Sequence, residues 1–330
     1  MDALSDVLRA VRLTGGVFLD AQFTAPWCVT AKVGPEDCRP FLAVPAHVIA
    51  YHYVAFGRLL LQVDGEKPVE VQAGEIVLLP RNDTHILGSA LNLKPVSADG
   101  LIQPPTGGGL ARISHGGGGA PTHIVCGFLG SEVHHNPLVG TLPKLLKLNV
   151  RESAGGDWIE SAFRFAASEL SSGRVGCETV LSKLSELLFV DALRRYIATL
   201  SPAQRGWLAG LRDPMIGRAL ALLHGRLAHP WTAEDLARQI GLSRSAFAER
   251  FTSLVGEPPM RYLASWRMQL AAQKLREGHS PVSRIAYEVG YESEAAFNRA
   301  FKREFGIPPA SWRKQGRQAP RGDRTRPGCA

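Results

Sequence analysis

The sequence is short of several things, and each shortage excludes a class of protein. Its 330 residues contain no apolar run of 18 or more, so no membrane-spanning helix is expected. Cysteine is scarce and odd in number, five in all, which suits a reducing cytoplasm better than a disulfide framework. Met1–Ala10 carries Asp2 and Asp6 and no apolar core, so it does not read as a signal peptide. No phosphate-cradling glycine loop, catalytic triad or intact set of metal ligands stands out, so no enzyme activity, bound cofactor or metal is expected. What is there is ordinary globular material, 45% hydrophobic and 8% aromatic, long enough for roughly two domains.

Charge divides the chain unevenly. The formal net charge is +8, but residues 1–211 sum to −1, residues 212–314 to +6 and residues 315–330 to +3. A near-neutral larger part joined to a basic smaller one suggests a polyanion-binding module attached to something else. Charge alone leaves open a scattered basic surface with no partner.

From Cys38 to about Gly88, short apolar runs are punctuated by Gly, Pro and Asp. His52–Val63 alternates, Asp64-Gly65 supplies a turn, Val69-Glu70-Val71 resumes the pairing, and Gly74–Pro80 reads as another strand. This pattern predicts an antiparallel β barrel or sandwich. Residues 99–122, rich in Gly and Pro, read as a flexible loop, and His123–Phe128 as one more strand. After Gly155-Gly156 the period becomes helical. Asp157 can cap a helix through Leu170, and a second runs from about Glu178 to Leu200. The apolar stripe of the second suits burial on its own β domain or against a partner helix, so it permits a homodimer without requiring one. Ser201-Pro202 to Asp213-Pro214 reads as a linker.

The strongest signal is an internal duplication. Leu236-Ala237-x-x-Ile240-Gly241, Phe247-x3-Phe251 and Gly256-x-Pro258-Pro259 recur as Ile285-Ala286-x-x-Val289-Gly290, Phe297-x3-Phe301 and Gly306-x-Pro308-Pro309. Each copy reads as a helix-turn-helix: a small Ala where helices cross, a Gly ending the first helix, and Ser243 or Ser293 capping the second. The phenylalanines face inward. Arg244, Ser245, Ala248 and Glu249 are left outward in one copy, and Glu294, Ala295, Asn298, Arg299 and Lys302 in the other. Pro259–Glu277 between the copies predicts a helix about 28 Å long, which can place two reading helices in successive major grooves about 34 Å apart.

Residues 212–314 resemble the DNA-binding domain of AraC/XylS-type bacterial transcription regulators. The resemblance is carried by Leu236-Ala-Arg-Gln-Ile-Gly-Leu-Ser-Arg-Ser-Ala-Phe-Ala-Glu-Arg-Phe, by Ile285-Ala-Tyr-Glu-Val-Gly-Tyr-Glu-Ser-Glu-Ala-Ala-Phe-Asn-Arg-Ala-Phe, and by Gly306-Ile-Pro-Pro-Ala-Ser-Trp-Arg. It implies control of transcription, usually activation, by promoter DNA contacts from both reading helices, with RNA polymerase as a partner. Chemistry then assigns Arg299 to a guanine edge and Asn298 to adenine, and leaves Glu249 either to accept from a cytosine amino group or only to repel a phosphate. Arg244, Arg250, Lys302 and Arg303 suit phosphates or the open surface.

Gly74-x5-Pro80-x-Asn82-x2-His85 resembles the second motif of cupins, with Asn82 in place of the usual Gly. Tyr51-His52-Tyr53-Val-Ala-Phe-Gly57 resembles the first motif but lacks its His-x-His pair and its Glu. An enzymatic cupin would need about three converging ligands. His52 and His85 remain here, with His47, His123, His134 and His135 as helpers, so a structural or ligand-contacting role is favoured over a metal-dependent enzyme with a DNA-binding appendage. Two kinds of signal stay open, beside a reading with none. His52, Tyr53 and His85 can line an effector pocket with Phe41, Phe56 and Leu61. Cys28 and Cys38, near loops with Lys32 and Arg39, are the more exposed candidate redox thiols, and Cys126 is a third set in an apolar strand. The barrel can also be simply packed and serve only dimerisation.

The expectation is an α+β chain of two domains. It has an antiparallel cupin-like barrel at 1–150, a helical connector at 151–211, a double helix-turn-helix at 212–314 (units at about 233–255 and 282–305) and a disordered basic tail at 315–330. The reading is that of a cytoplasmic regulator.

Overall fold

The computed structural model describes residues 3–11, 13–38, 47–104, 110–131, 142–149, 177–201, 204–278 and 280–318, together with positions 161 and 165. The chain forms two compact units. One comprises Leu13–His134 and Leu142–Ala198, the other Met1–Arg12, His135–Thr141 and Thr199–Ala330. The first is rich in sheet, while the described residues of the second are helical.

Among the described residues, eleven strands build the first unit: β1 (Thr14–Thr24), β2 (Cys28–Ala31), β3 (His47–Phe56), β4 (Arg58–Val63), β5 (Val69–Gln72), β6 (Glu75–Leu79), β7 (His85–Gly88), β8 (Val96–Ser97), β9 (Ala111–Gly116), β10 (Pro121–Ser131) and β11 (Leu146–Asn149). They form two sheets, in the orders β11-β6-β3-β10-β1-β9 and β5-β4-β7-β2-β8. The expected closed barrel is therefore corrected to two open sheets packed face to face. The chain crosses between them several times, and between β3 and β4 it does so through a single residue. Gly57 joins β3 to β4 at φ +78°, and a Cβ there would lie 2.3 Å from Pro121 O, so only glycine turns that corner. The sheets are not purely antiparallel either, because β9 and β8 pair parallel to β1 and β2 at the edges.

Strand alternation decides what enters the core. Ala50 and Val54 of β3 join Leu19, Ala21 and Phe23 of β1, Ile124 and Phe128 of β10, and Val29, Leu61 and Leu87 of the opposing sheet. Tyr51, between Ala50 and His52, faces the other way and meets α3 (Cys177–Thr199), its Oη lying 3.0 Å from Ser185 Oγ. A one-turn helix, α2 (Pro35–Cys38), follows β2.

The stretch 99–122 departs from the expected loop. It holds a 3-10 turn at Asp99–Leu101, the strand β9, and a glycine run packed tightly on Thr24–Pro26. Gly117 N donates to Thr24 O at 2.9 Å and Gly119 N to Ala25 O at 2.8 Å. A Cβ at Gly116 would lie 1.9 Å from Thr24 O. These glycines allow close backbone approach, which offsets their entropy. Apart from positions 161 and 165, which are helical, the helix expected at Asp157–Leu170 lies outside the described residues, as does the tail beyond residue 318.

The helical unit contains α1 (Ala3–Val11), α4 (Trp207–Arg212), α5 (Pro214–Gly225), α6 (Ala233–Ile240), α7 (Arg244–Val255), α8 (Pro259–Glu277), α9 (Val282–Glu288), α10 (Glu294–Phe305) and α11 (Pro309–Gln318). The expected linker at 201–214 is instead the seat of α4. Trp207 and Leu208 are buried there, and Trp207 Nε1 donates to Tyr262 Oη at 2.8 Å. The N-terminal helix α1 packs on α5, with Val7 fully buried.

Both repeats are helix-turn-helix units, α6–α7 and α9–α10. Gly241 and Gly290 turn at φ +75° and +84°. Ser243 accepts from Ala246 N and Ser293 from Ala296 N, each at 3.2 Å, capping α7 and α10. The helix-crossing alanines Ala237 and Ala286 are buried, as are Phe247, Phe251, Phe297 and Phe301.

Candidate functional site

The two serine-capped helices carry the outward-facing set. On α7, Arg244, Ser245 and Glu249 are exposed and Ala248 is half-buried; on α10, Glu294, Ala295, Arg299 and Lys302 are exposed and Asn298 is half-buried. Glu294, Asn298, Arg299 and Lys302 line one open concavity, whose far wall is Val282 and Pro308–Ala310. Arg250, exposed, is engaged by an acidic side chain of the same unit. Its Nη2 and Nε sit 2.5 and 3.0 Å from Asp213 Oδ2, and Asp213 also caps α5 through the amides of Met215 and Ile216 at 3.1 and 3.0 Å. Arg303 is exposed.

In the sheet-rich unit, register brings three side chains together from distant parts of the chain. Cys126 on β10 pairs with His52 on β3, and His85 begins β7 on the opposing sheet. His52 Nε2 lies 2.8 Å from His85 Nε2, His52 Nδ1 lies 3.0 Å from Cys126 Sγ, and His85 Nδ1 lies 2.9 Å from Asp83 O. All three side chains are buried. Burial lowers the pKa of both rings, and for His52 the neighbouring His85 lowers it further, so each ring is neutral and carries one N–H.

The tautomers follow from the end of the chain. Asp83 O can only accept, so His85 Nδ1 donates to it and leaves His85 Nε2 bare. His52 Nε2 must then donate, which leaves His52 Nδ1 to accept the Cys126 S–H. The three side chains form one directed series of hydrogen bonds.

The series borders a cavity of about 40 Å³, whose lining includes Leu19, Phe23, Val29, Ile113 and Ile124 together with Lys32 and Asp99. That volume admits about three water-sized bodies. Several expected members are elsewhere. Tyr53 is buried, but alternation points it away from His52, to the opposite face of the sheet. Phe56 is 59% exposed, Leu61 belongs to the packed core, and Phe41 lies outside the described residues. Of the other histidines, His47 contacts Pro80 O at 2.7 Å and His123 pairs with Asp20, while His134 and His135 lie outside the described residues.

The expected exposure of Cys28 and Cys38 is also corrected. Both are buried, as is Cys126. Burial raises the thiol pKa of Cys28, burial and the Asp37 charge push Cys38 up to about 12, and burial and the Asp20 charge raise Cys126. A protonated, enclosed thiol is a poor nucleophile. Among the described residues no group of three or more His, Cys, Asp or Glu is arranged to hold a metal ion, and no helix is long and apolar enough to cross a membrane.

Sequence reasoning missed two features. Cys126 as the partner of His52 was hidden because the two stand 74 positions apart, and only the β3–β10 register joins them. Arg267 on α8, half-buried and bonded to three backbone carbonyls, carries no local signature at all.

Comparison with known proteins agrees with this division. A cupin family model matches residues 2–198, and a helix-turn-helix domain model matches residues 236–315. An AraC-like transcription regulator of Streptomyces antibioticus is 32% identical over 95% of this chain and 99% of its own length. The HTH-type transcriptional regulator AlkR of Acinetobacter baylyi is 29% identical over 96% of this chain and all of its own. The RCS-specific HTH-type transcriptional activator RclR of Escherichia coli is 29% identical over 96% and 99%. With a cupin part and a repeated helix-turn-helix part matched along almost its whole length, the chain belongs to the AraC-type transcription regulators.

Proposed function

We propose that this regulator activates transcription, reading promoter DNA with α7 and α10 and recruiting RNA polymerase in response to a signal received in its sheet-rich unit. The observation that carries the reading is the pair of serine-capped helices whose polar faces stay exposed while their phenylalanines close two separate cores. Arg299 is assigned to guanine and Asn298 to adenine by donor and acceptor geometry. Arg244 and Lys302 are assigned to phosphates, with Ser245, Ala248, Glu249, Glu294 and Ala295 completing the two faces. Activation is the role named for the Escherichia coli relative. The exposed Leu187 on α3 leaves an apolar position for a second copy of the chain.

The signal side is narrower than a general effector pocket. A cavity of about 40 Å³ suits a ligand of very few heavy atoms meeting the His52–His85 pair. A metal-dependent enzyme is disfavoured by geometry. His52 directs one ring nitrogen to His85 and the other to Cys126, so the three do not converge on one open point, as catalytic metal sites require.

Binding by the full-length protein to a selected DNA site, with each base pair varied in turn, tests the assignment. Arg299→Ala is expected to lose about 1–3 kcal/mol at one base position and little elsewhere. Equal weakening on every sequence would refute a base-reading role for Arg299.

A further inference from the structure

Helix α8 is shared between the two reading units. Tyr262 and Trp266, in its first half, belong to the first core: Tyr262 Oη meets Trp207 Nε1 and His224 Nε2 at 2.8 and 2.7 Å, and the Trp266 ring lies 4.7 Å from that of His224. Met268, Ala271, Ala272 and Leu275 belong to the second, with Ile285, Phe297 and Phe301. Arg267 stands where the halves meet, and its guanidinium reaches both sides. Nε and Nη2 donate to Leu227 O at 3.0 and 2.9 Å, Nη2 donates also to His229 O at 2.8 Å, and Nη1 donates to Gly290 O at 3.2 Å. Leu227 and His229 lie between α5 and α6; Gly290 is the turn between α9 and α10.

The repeat supplies an internal control. Gly241 and Gly290 are equivalent and both turn with positive φ, yet a Cβ on Gly241 would meet nothing within 4 Å. On Gly290 it would lie 2.8 Å from Arg267 Cζ and 2.9 Å from Ala228 Cα. The turn accounts for glycine at both places. Only the second is also pressed against the neighbouring unit, and it is pressed there at the Arg267 clamp. The guanidinium is a planar fork of fixed directions, so carbonyls from both units held by one fork fix an angle as well as a distance.

We propose that Arg267 is a positioning residue that locks the second reading unit against the first and so sets the single spacing between DNA subsites that the chain accepts. Helix α8 fixes separation along its own axis, and the clamp fixes rotation about that axis. Adding one base pair between the subsites moves the second by about 3.4 Å and turns it by about 34°, which a clamped pair cannot follow. The inference rests on the assignment of α7 and α10 as DNA-reading helices.

The test is selection of binding sites from a random duplex library by the full-length protein, by Arg267→Ala, and by Arg267→Lys, which keeps the charge without the fork. The wild type is expected to select two half-motifs at one spacing and to bind about tenfold more weakly when one base pair is added. Arg267→Ala is expected to select several spacings, with that penalty reduced to about threefold or less, while binding to either half-motif alone is unchanged; Arg267→Lys falls between. A single spacing with the full penalty in Arg267→Ala overturns the clamp, and so does a wild-type site with only one half-motif. A wild type that selects nothing shows instead that the DNA-reading assignment has failed. Circular dichroism checks folding, and if Arg267→Ala does not fold, the spacings selected by Arg267→Lys decide by the same criteria.

Discussion

His52 gives its Nε2 hydrogen to His85 Nε2 across 2.8 Å inside the sheet-rich unit, and the direction of that bond is set by the Asp83 carbonyl behind His85. A proton added to His85 would place hydrogens on both facing nitrogens, and one added to His52 would go to Nδ1, where the Cys126 S–H already points, so either breaks the series that ends at Cys126. The pair is stable only while neutral, and burial keeps it so.

Acid should therefore weaken the sheet-rich unit. Above about pH 6.5 both rings are neutral whether folded or unfolded, and they add no pH dependence. As pH falls below that, the unfolded rings take protons that the folded ones refuse, because both folded pKa values are lowered. Stability then drops until the folded values are reached. His224 in the helical unit acts with the same sign, since burial lowers it to about 4, and its full contribution would be about 3 kcal/mol near pH 4. Calorimetry from pH 7.5 to 5 should show falling transition temperatures, and His224→Gln should flatten the slope of one transition. A pH-independent profile would contradict the neutral pair.

Thiol chemistry gives a second check. Cys28, Cys38 and Cys126 are enclosed and their thiols held protonated by burial. Iodoacetamide at pH 7.5 should leave all three unlabelled in the folded protein and label all three in denaturant, read by peptide mass spectrometry. Rapid labelling of Cys38 in the native state would return it to the role of an exposed redox thiol.

The helical unit was largely legible because its signals are local. Gly241 and Gly290 announce positive φ, Ser243 and Ser293 announce caps, and the paired phenylalanines recur at helical spacing. The sheet-rich unit was legible only as strands. Which face of β3 turns inward depends on pairing with β10 and β6, and a shift of one residue would exchange His52 for Tyr53. That is why Tyr53 was expected in the pocket and Cys126 was not seen as the partner of His52. The glycine run at 116–119 misled for a related reason. Composition reports the entropy of such a stretch but not the Thr24–Pro26 backbone that packs against it.

Asp213 caps α5 and holds Arg250 of α7, so two elements depend on one carboxylate. Burial would raise its pKa, but the Arg250 hydrogen bond and the Ile216 and Met215 amides outweigh that and lower it. Asp213→Ala should destabilise the helical unit by about 1–2 kcal/mol through the lost cap. Asp213→Asn keeps a cap acceptor and loses only the ion pair to a half-exposed arginine, so it should cost less than about 1 kcal/mol. Equal losses in urea unfolding would place the stabilisation in the ion pair instead.

Gly127 on β10 is required by a side chain from the neighbouring strand. Tyr51 lies opposite it and crosses over it to reach Ser185 Oγ at 3.0 Å, with Gly16 O at 3.4 Å. A Cβ at Gly127 would fall 2.1 Å from the Tyr51 Cζ and Oη and 2.5 Å from Gly16 O. Gly127→Ala must displace the tyrosine and with it the seat of α3, an overpacking that should cost about 3 kcal/mol. Tyr51→Phe loses only the hydroxyl bonds and should cost about 1 kcal/mol. Because the two positions are in contact, Gly127→Ala combined with Tyr51→Ala should cost less than the sum of the single changes by about 1–3 kcal/mol. Additive losses in urea melts would mean that Tyr51 does not pass over Gly127 in solution.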